Sequence, residues 1–379
     1  MEHNNKNILV LVGTIMPLVI TWSAWWLVVP IYLRELGAKD LSLGLSYTLF
    51  RIAFAIGELF GGILCDKFGR KHLITLPTYF FVPTYILAGL TKDYRVFVTL
   101  MFISSLLNGL QYPAFLVLTI ESVKKSSRGI ALGLLNTSYN LSLLIGPFIG
   151  SLLFKLGIAI TSLMIYAGIT ALFCAVLRML FLTEPFETEP AKDELLSFKK
   201  FFIISLMGIG IFSVFVFTSW GPFVALYASD IFSYTKGQVN LLFGYGYAAS
   251  TIMSILGGKL IDRIGSYKTL GFGIILYSLG LILWCHAPSS LVPSIFAISY
   301  GMGTITVVAY HHFATHLAPK PLRATFTGRL IAIGDLFTSF IPILGMWIYS
   351  KSHVMPFFIA LSIALIIGGK FLCCLLYTS

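Results

Sequence analysis

Apolar runs of helix length succeed one another along the chain, parted by short gaps where charge, glycine or proline collects. A helix needs about 20 apolar residues to cross a hydrocarbon core ~30 Å thick. Cutting the sequence at its gaps predicts twelve such helices, over 8–33, 42–64, 73–91, 95–119, 128–154, 158–182, 200–228, 238–260, 268–287, 290–316, 325–350 and 354–377. The one long polar stretch, TEPFETEPAKDELLSFKK at 183–200, reads as a loop between a first half (1–182) and a second (201–379). The expected fold class is therefore an all-α integral membrane protein.

Composition agrees with the pattern: 57% of residues are hydrophobic and 11% charged, against about 25% charged in soluble domains. Lys and Arg outnumber Asp and Glu by 26 to 15, but they sit in the short gaps and form no continuous basic face. That argues against a nucleic-acid partner and for a lipid bilayer. With the N-terminus inside, eighteen basic residues fall on the inner side and seven on the outer, with Arg51 left within a span. Both termini and the central loop are thus expected to be cytoplasmic in a multi-pass plasma-membrane protein. The first apolar run is too long for a signal peptide and lacks a small-residue cleavage site, so it reads as the first span. The five cysteines match no metal or redox spacing and read as packing residues. Asn136 and Asn140 begin sequons inside an apolar segment, where no glycosyl transferase reaches.

Sliding the sequence by 196 residues sets GGILCDKFGRK on GGKLIDRIGSY. Gly61, Gly62, Asp66 and Gly69 then meet Gly257, Gly258, Asp262 and Gly265. A shift of 195 sets SRGIALG on LRATFTG, so that Arg128 meets Arg323. Recurrence at half the chain length predicts two pseudo-symmetric six-helix bundles, an organisation common among secondary transporters.

Gly62-x3-Asp66-Lys67-x-Gly69-Arg70-Lys71 resembles the signature between helices two and three of the major facilitator superfamily. The second copy is partial, with Ser266 and Tyr267 in place of the basic pair. The resemblance extends over the whole chain through span count, central loop and repeat. It implies that Asp66 caps the positive end of helix 11 and that Arg70 reaches an acid at the end of helix 4, where Glu121 stands. Together they would form a conformational latch with Gly62, Gly69 and Lys71. A basic loop that only fixes topology is the plainer alternative.

In helix 5, Gly133-x8-Ser142-x3-Gly146-Pro147-x2-Gly150-Ser151 resembles the motif of the superfamily's drug–proton antiporters, with serine at two glycine positions. Ordinary small-residue packing is the competing reading. The arginine that such antiporters carry in helix 4 is missing: Ser105 stands four residues before Gly109.

Charge inside the bilayer is costly and usually faces a cavity or a partner. Arg51 and Glu58 in helix 2 and Asp335 in helix 11 are therefore candidates for coupling or ion contact. Under the repeat, Arg51 corresponds to Tyr247, Glu58 to Ser254 and Asp335 to Asn140. A neutralisable acid there suits a proton as coupling ion, a fixed structural ion pair being the alternative. The resemblance implies that helices 1, 4, 7 and 10 line the cavity, which nominates Trp22, Trp26, Asn108, Gln111, Tyr112 and Trp220, with Asn140 polar in both repeats. Aromatic walls with few charges suit amphiphilic or cationic organic molecules.

His312 and His316 have the spacing of two metal ligands on a helix, but no acid or cysteine lies near, so no metal site is expected. The run AIGD at 332–335 lacks the first glycine of an intramembrane aspartyl protease, and no nucleophile, zinc-protease or phosphate-loop motif appears. No enzyme and no cofactor are expected. The reading is a secondary active transporter working by alternating access, monomeric, with a small-molecule substrate. The first expectation is proton-coupled export of hydrophobic or amphiphilic molecules. Proton-coupled uptake of a sugar, organic acid or other metabolite and uncoupled uniport stay open.

Overall fold

The structure is a computed structural model that describes residues 5–124, 127–184, 198–317 and 323–373. Fifteen α-helices account for the described secondary structure: α1 (Asn5–Trp26), α2 (Val29–Glu35), α3 (Asp40–Phe68), α4 (Arg70–Leu90), α5 (Tyr94–Glu121), α6 (Arg128–Lys155), α7 (Ile160–Phe181), α8 (Phe198–Val216), α9 (Phe223–Asp230), α10 (Lys236–Ile264), α11 (Ser266–Cys285), α12 (Val292–Leu317), α13 (Arg323–Thr338), α14 (Ile341–Tyr349) and α15 (Met355–Cys373). Among the described residues eleven segments are long and apolar enough to span a membrane. In α8 the described apolar stretch is Ile204–Val216.

Three expected helices are each divided in two. The chain leaves helical geometry at 27–28, 217–222 and 339–340. Each break lies just ahead of a proline near the start of the following helix: Pro30, Pro222 and Pro342. Proline has no N–H for the carbonyl four residues back, and its ring crowds that carbonyl. The carbonyls so released belong to Trp26, Thr218 and Thr338. Pro17, Pro77, Pro83, Pro113 and Pro147 stay within helices.

The repeat is visible in the elements. The helices α3 and α10 both have 29 residues and start 196 positions apart. Each ends on a glycine with positive φ, Gly69 at +86° and Gly265 at +81°, a conformation that glycine adopts without a Cβ clash. Gly37 at +90° has its counterpart in Ser233 at +56°, the one non-glycine residue with positive φ among those described.

The chain forms two compact units. The first holds 1–39, 49–189 and 235–241; the second holds 40–48, 190–234 and 242–379. In the first unit α1 packs on α6 and α7, and α4 on α5 and α7. Its interior buries Leu11, Trp25, Leu33 and Phe97. In the second unit α11 packs on α12 and α15, and α8 on α13 and α15. The second interior is rich in rings: Trp284 lies against Tyr227, Phe232, Phe296 and Phe357, with centroids 5.3–5.9 Å apart.

Candidate functional site

The charged run that ends α3 forms a compact polar cluster. Gly69 turns the chain between α3 and α4, and Arg70 then reaches Glu121 at the last position of α5. Its Nε donates to Glu121 Oε2 at 3.0 Å and its Nη2 to Oε1 at 3.1 Å, a two-point arrangement that fixes both side chains. The Glu121 side chain is 9% exposed and that of Arg70 22%. Asp66 lies 3.9 Å from Arg70 and is 80% exposed. Lys67 sits over the Phe68 ring. Gly62 has open space about its α-carbon. The side chains of 323–329, at the start of the eleventh span where Asp66 was expected to act, lie outside the described residues.

A second acid joins this cluster. Glu184 accepts the backbone N–H groups of Arg70 at 2.6 Å and Lys71 at 2.8 Å. These are orphan donors in the first turn of α4, where an anion is favoured by both hydrogen bonding and the helix dipole. A Cβ at Gly69 would press on the Glu184 carboxylate. Sequence reasoning left Glu184 in the central loop. The available signal was its place shortly after the sixth span, level with the inner ends of helices two and three. Asn7 clasps the same end of the unit, donating to Ser122 Oγ at 2.9 Å and accepting from the Thr183 N–H at 3.0 Å.

Deeper in the first unit lies Arg178, counted from sequence only as a topology charge. It is 1% exposed. Its Nε donates to Thr14 Oγ1 at 2.9 Å and its Nη1 to Thr78 Oγ1 at 2.6 Å, while the guanidinium lies 5.0 Å from the Phe115 ring centre. One side chain thus ties α7 to α1, α4 and α5. Gln111 extends this network, donating to Thr78 at 3.1 Å with 2% exposure. Expected on a cavity wall, this amide turns into the bundle, where hydrogen bonding offsets its burial.

The helix 5 motif is a close-approach surface. A Cβ at Gly146 would meet Ser23 Oγ and the Ile20 carbonyl, and one at Gly150 would meet the Ala24 carbonyl and the Asn240 amide. Gly146, Pro147 and Gly150 are buried, whereas Gly133 faces open space. The motif therefore brings α6 against the backbone of α1. A similar approach occurs where α3 crosses α5: a Cβ on Gly57 would meet the Leu106 carbonyl, and one on Gly109 the Phe54 carbonyl. Glu58 follows directly from that crossing.

Arg51, Glu58 and Asp335 are half-buried, and each is engaged by a neighbour. Among the aromatic candidates, Trp22 and Trp26 stack at 5.2 Å, and Tyr112 is 41% exposed beside Phe54. Trp220, in the break between α8 and α9, is 38% exposed. It stacks on Phe215 at 4.8 Å, which stacks on Tyr277 at 4.9 Å. Phe212 lies 5.5 Å from Trp220 and fills the notch at Gly334, next to Asp335. Asn108 and Asn140 are exposed, Asn140 donating to Asn136 at 3.4 Å. His312 is exposed, the His316 side chain lies outside the described residues, and no cluster of metal ligands occurs among those described.

The model of the Major Facilitator Superfamily matches residues 11–224 and 206–379. The chain belongs to that superfamily. It is a multi-pass membrane transporter built on its fold. Similar sequences include the multi-drug resistance efflux pump PmrA of Streptococcus pneumoniae, 29% identical over 301 residues that cover 73% of this chain and 72% of that one. The cis,cis-muconate transport protein of Acinetobacter baylyi is 26% identical, over 86% of this chain and 82% of its own. Among solved structures, the nucleoside transporter NupG matches with a TM-score of 0.78 at 12% identity, covering 97% of this chain and 98% of that one. This last likeness concerns the fold alone.

Proposed function

We propose that this superfamily member exports small hydrophobic or amphiphilic organic molecules by alternating access, driven by inward proton movement across the plasma membrane. The observation that carries the reading is the similarity to a multidrug efflux pump over 301 residues. The antiporter-like motif of α6, seated on the α1 backbone at Gly146 and Gly150, agrees with it. So do exposed aromatic faces at Tyr112 and Trp220, which suit stacking and cation–π contact. In this reading both termini are cytoplasmic, and Arg70–Glu121 with Glu184 forms a cytoplasmic latch. Asp335 carries the proton, and Glu58 is the second acid of the pathway. Neutralising an acid changes which conformation is stable, which is the physical requirement for coupling.

A second reading, proton-coupled uptake of an organic anion, has two supports: the similarity to a muconate transport protein and Arg51 within the span of α3. Proteoliposomes with an imposed proton gradient separate the two. Gradient-driven movement of fluorescent lipophilic cations, with no uptake of a dicarboxylate, supports export. Dicarboxylate uptake without dye movement replaces it with symport.

A further inference from the structure

Within the second unit, the link over 350–354 joins two segments apolar and long enough to span a membrane, Ala332–Tyr349 and Met355–Leu372. A groove of about 330 Å³ opens where α14 and α15 part, lined by Trp347, Ile348, Lys351, Ser352, Met355 and Ile359. Four of these belong to the spans, and Lys351 and Ser352 belong to the link. The groove therefore runs from hydrocarbon depth to the polar boundary, with its charge at one end and apolar walls at the other. Ile359 lies about one helical turn deeper along α15 than Met355. Trp347, 54% exposed, stands at the depth where tryptophans gather in membrane proteins.

Lys351 sets the chemistry. Its Nζ lies 3.7 Å from the centre of the Trp347 ring. Among the described residues no carboxylate pairs with it. Asp230 is taken by the Tyr349 hydroxyl at 2.9 Å and faces His353 at 4.0 Å. The exposed Ser352 adds a hydroxyl donor beside the ammonium.

We propose that this groove binds an anionic phospholipid, its phosphate on Lys351 and Ser352 and an acyl chain along Ile348, Met355 and Ile359. Lysine meets phosphate as a point charge, and the spans supply the apolar bed. A phosphodiester without a cationic headgroup fits better than a choline lipid, because the Trp347 face that suits a choline cation already carries the Lys351 ammonium. A soluble anion leaves the apolar walls uncovered. A second copy of the chain does not match the scale: a stable interface buries about 800 Å² per partner, and six residues frame this groove. The proposal rests on no particular substrate or direction of transport.

The test is native mass spectrometry of the full chain in detergent, with phosphatidylglycerol or phosphatidylcholine of matched chains added, and separately glycerol phosphate. The expected result is one retained phosphatidylglycerol per chain, favoured about fivefold over phosphatidylcholine, as one cation gives at an anionic surface. Glycerol phosphate is not retained. Lys351→Gln removes the preference, whereas Lys370→Gln, towards the other end of α15, keeps it. Met355→Trp fills the groove without touching the charge and lowers phosphatidylglycerol retention severalfold. Equal retention of the two lipids by the wild type, or equal losses in Lys351→Gln and Lys370→Gln, overturns the proposal and leaves an unselective lipid annulus. Retained glycerol phosphate, or a dimer that Met355→Trp dissolves, overturns it in favour of a free anion or a second copy. Lys351→Gln, on an exposed position, keeps the test decisive if Met355→Trp does not fold.

Discussion

Arg70 and Glu121, 51 residues apart in sequence, meet through two hydrogen bonds of 3.0 and 3.1 Å. The contact joins the turn after α3 to the end of α5, and one partner is nearly buried. Removing one charge leaves the other poorly solvated, at a cost of about 1–3 kcal/mol. Glu121→Gln and Arg70→Gln should each lower the thermal midpoint of the purified transporter. The double variant should cost less than the sum of the singles by about 1 kcal/mol. Additive losses in a thermal-shift double-mutant cycle would show that the two side chains act separately.

Glu184 holds two orphan N–H groups of α4 and works against the positive end of the helix. Glu184→Ala should destabilise by about 1 kcal/mol, the usual value of a cap, and Glu184→Gln by less. Gly69→Ala should cost more than an ordinary surface change, because φ is +86° and the new methyl presses on that carboxylate. Restored stability in Gly69→Ala/Glu184→Ala, relative to Gly69→Ala alone, would assign the loss to the clash rather than to the backbone.

Arg178 ties four helices with one buried guanidinium. Arg178→Ala should cost about 3–5 kcal/mol, since it removes the contacts that join α7 to three other helices and opens a cavity. Arg178→Lys keeps the charge but loses the planar fork, and should recover part of the loss. Denaturation followed by fluorescence checks the order: wild type most stable, then lysine, then alanine. Equal stability of all three would contradict a structural role.

Gly146 and Gly150 let α6 approach the α1 backbone. A methyl at either position must push the helices apart, at a cost of about 1–3 kcal/mol. Both alanine variants should lose transport, whereas Gly133→Ala, facing open space, should behave like wild type in dye transport and expression. Loss in Gly133→Ala equal to that in Gly150→Ala would deny the motif its packing role.

The hydrophobic pattern made the spans legible, and the repeated GGxLxD with its following glycine made the two halves legible, because both are periodic in sequence. The breaks ahead of Pro30, Pro222 and Pro342 were not, since Pro77, Pro113 and Pro147 interrupt similar runs and stay helical. At the first break the freed Ala24 carbonyl finds a donor in Asn240, a partner that no local pattern announces. Arg70 and Glu121 were legible through the signature. Glu184 and Arg178 were not, because their partners lie about a hundred residues or more away and no periodicity links them. Gln111 looked polar enough for a cavity wall, and only its bond to Thr78 reveals an inward role.

Proton movement in response to substrate is the most direct test of the proposed coupling through Asp335. Proteoliposomes carry a pH-sensitive dye inside and no imposed gradient, and a lipophilic cation is added outside. If Asp335 carries the coupling proton, proton efflux follows cation entry in the wild type and disappears in Asp335→Asn, while Asp335→Asn still exchanges labelled cation across the membrane. Cation entry with no proton movement in the wild type, or undiminished proton movement in Asp335→Asn, would contradict it.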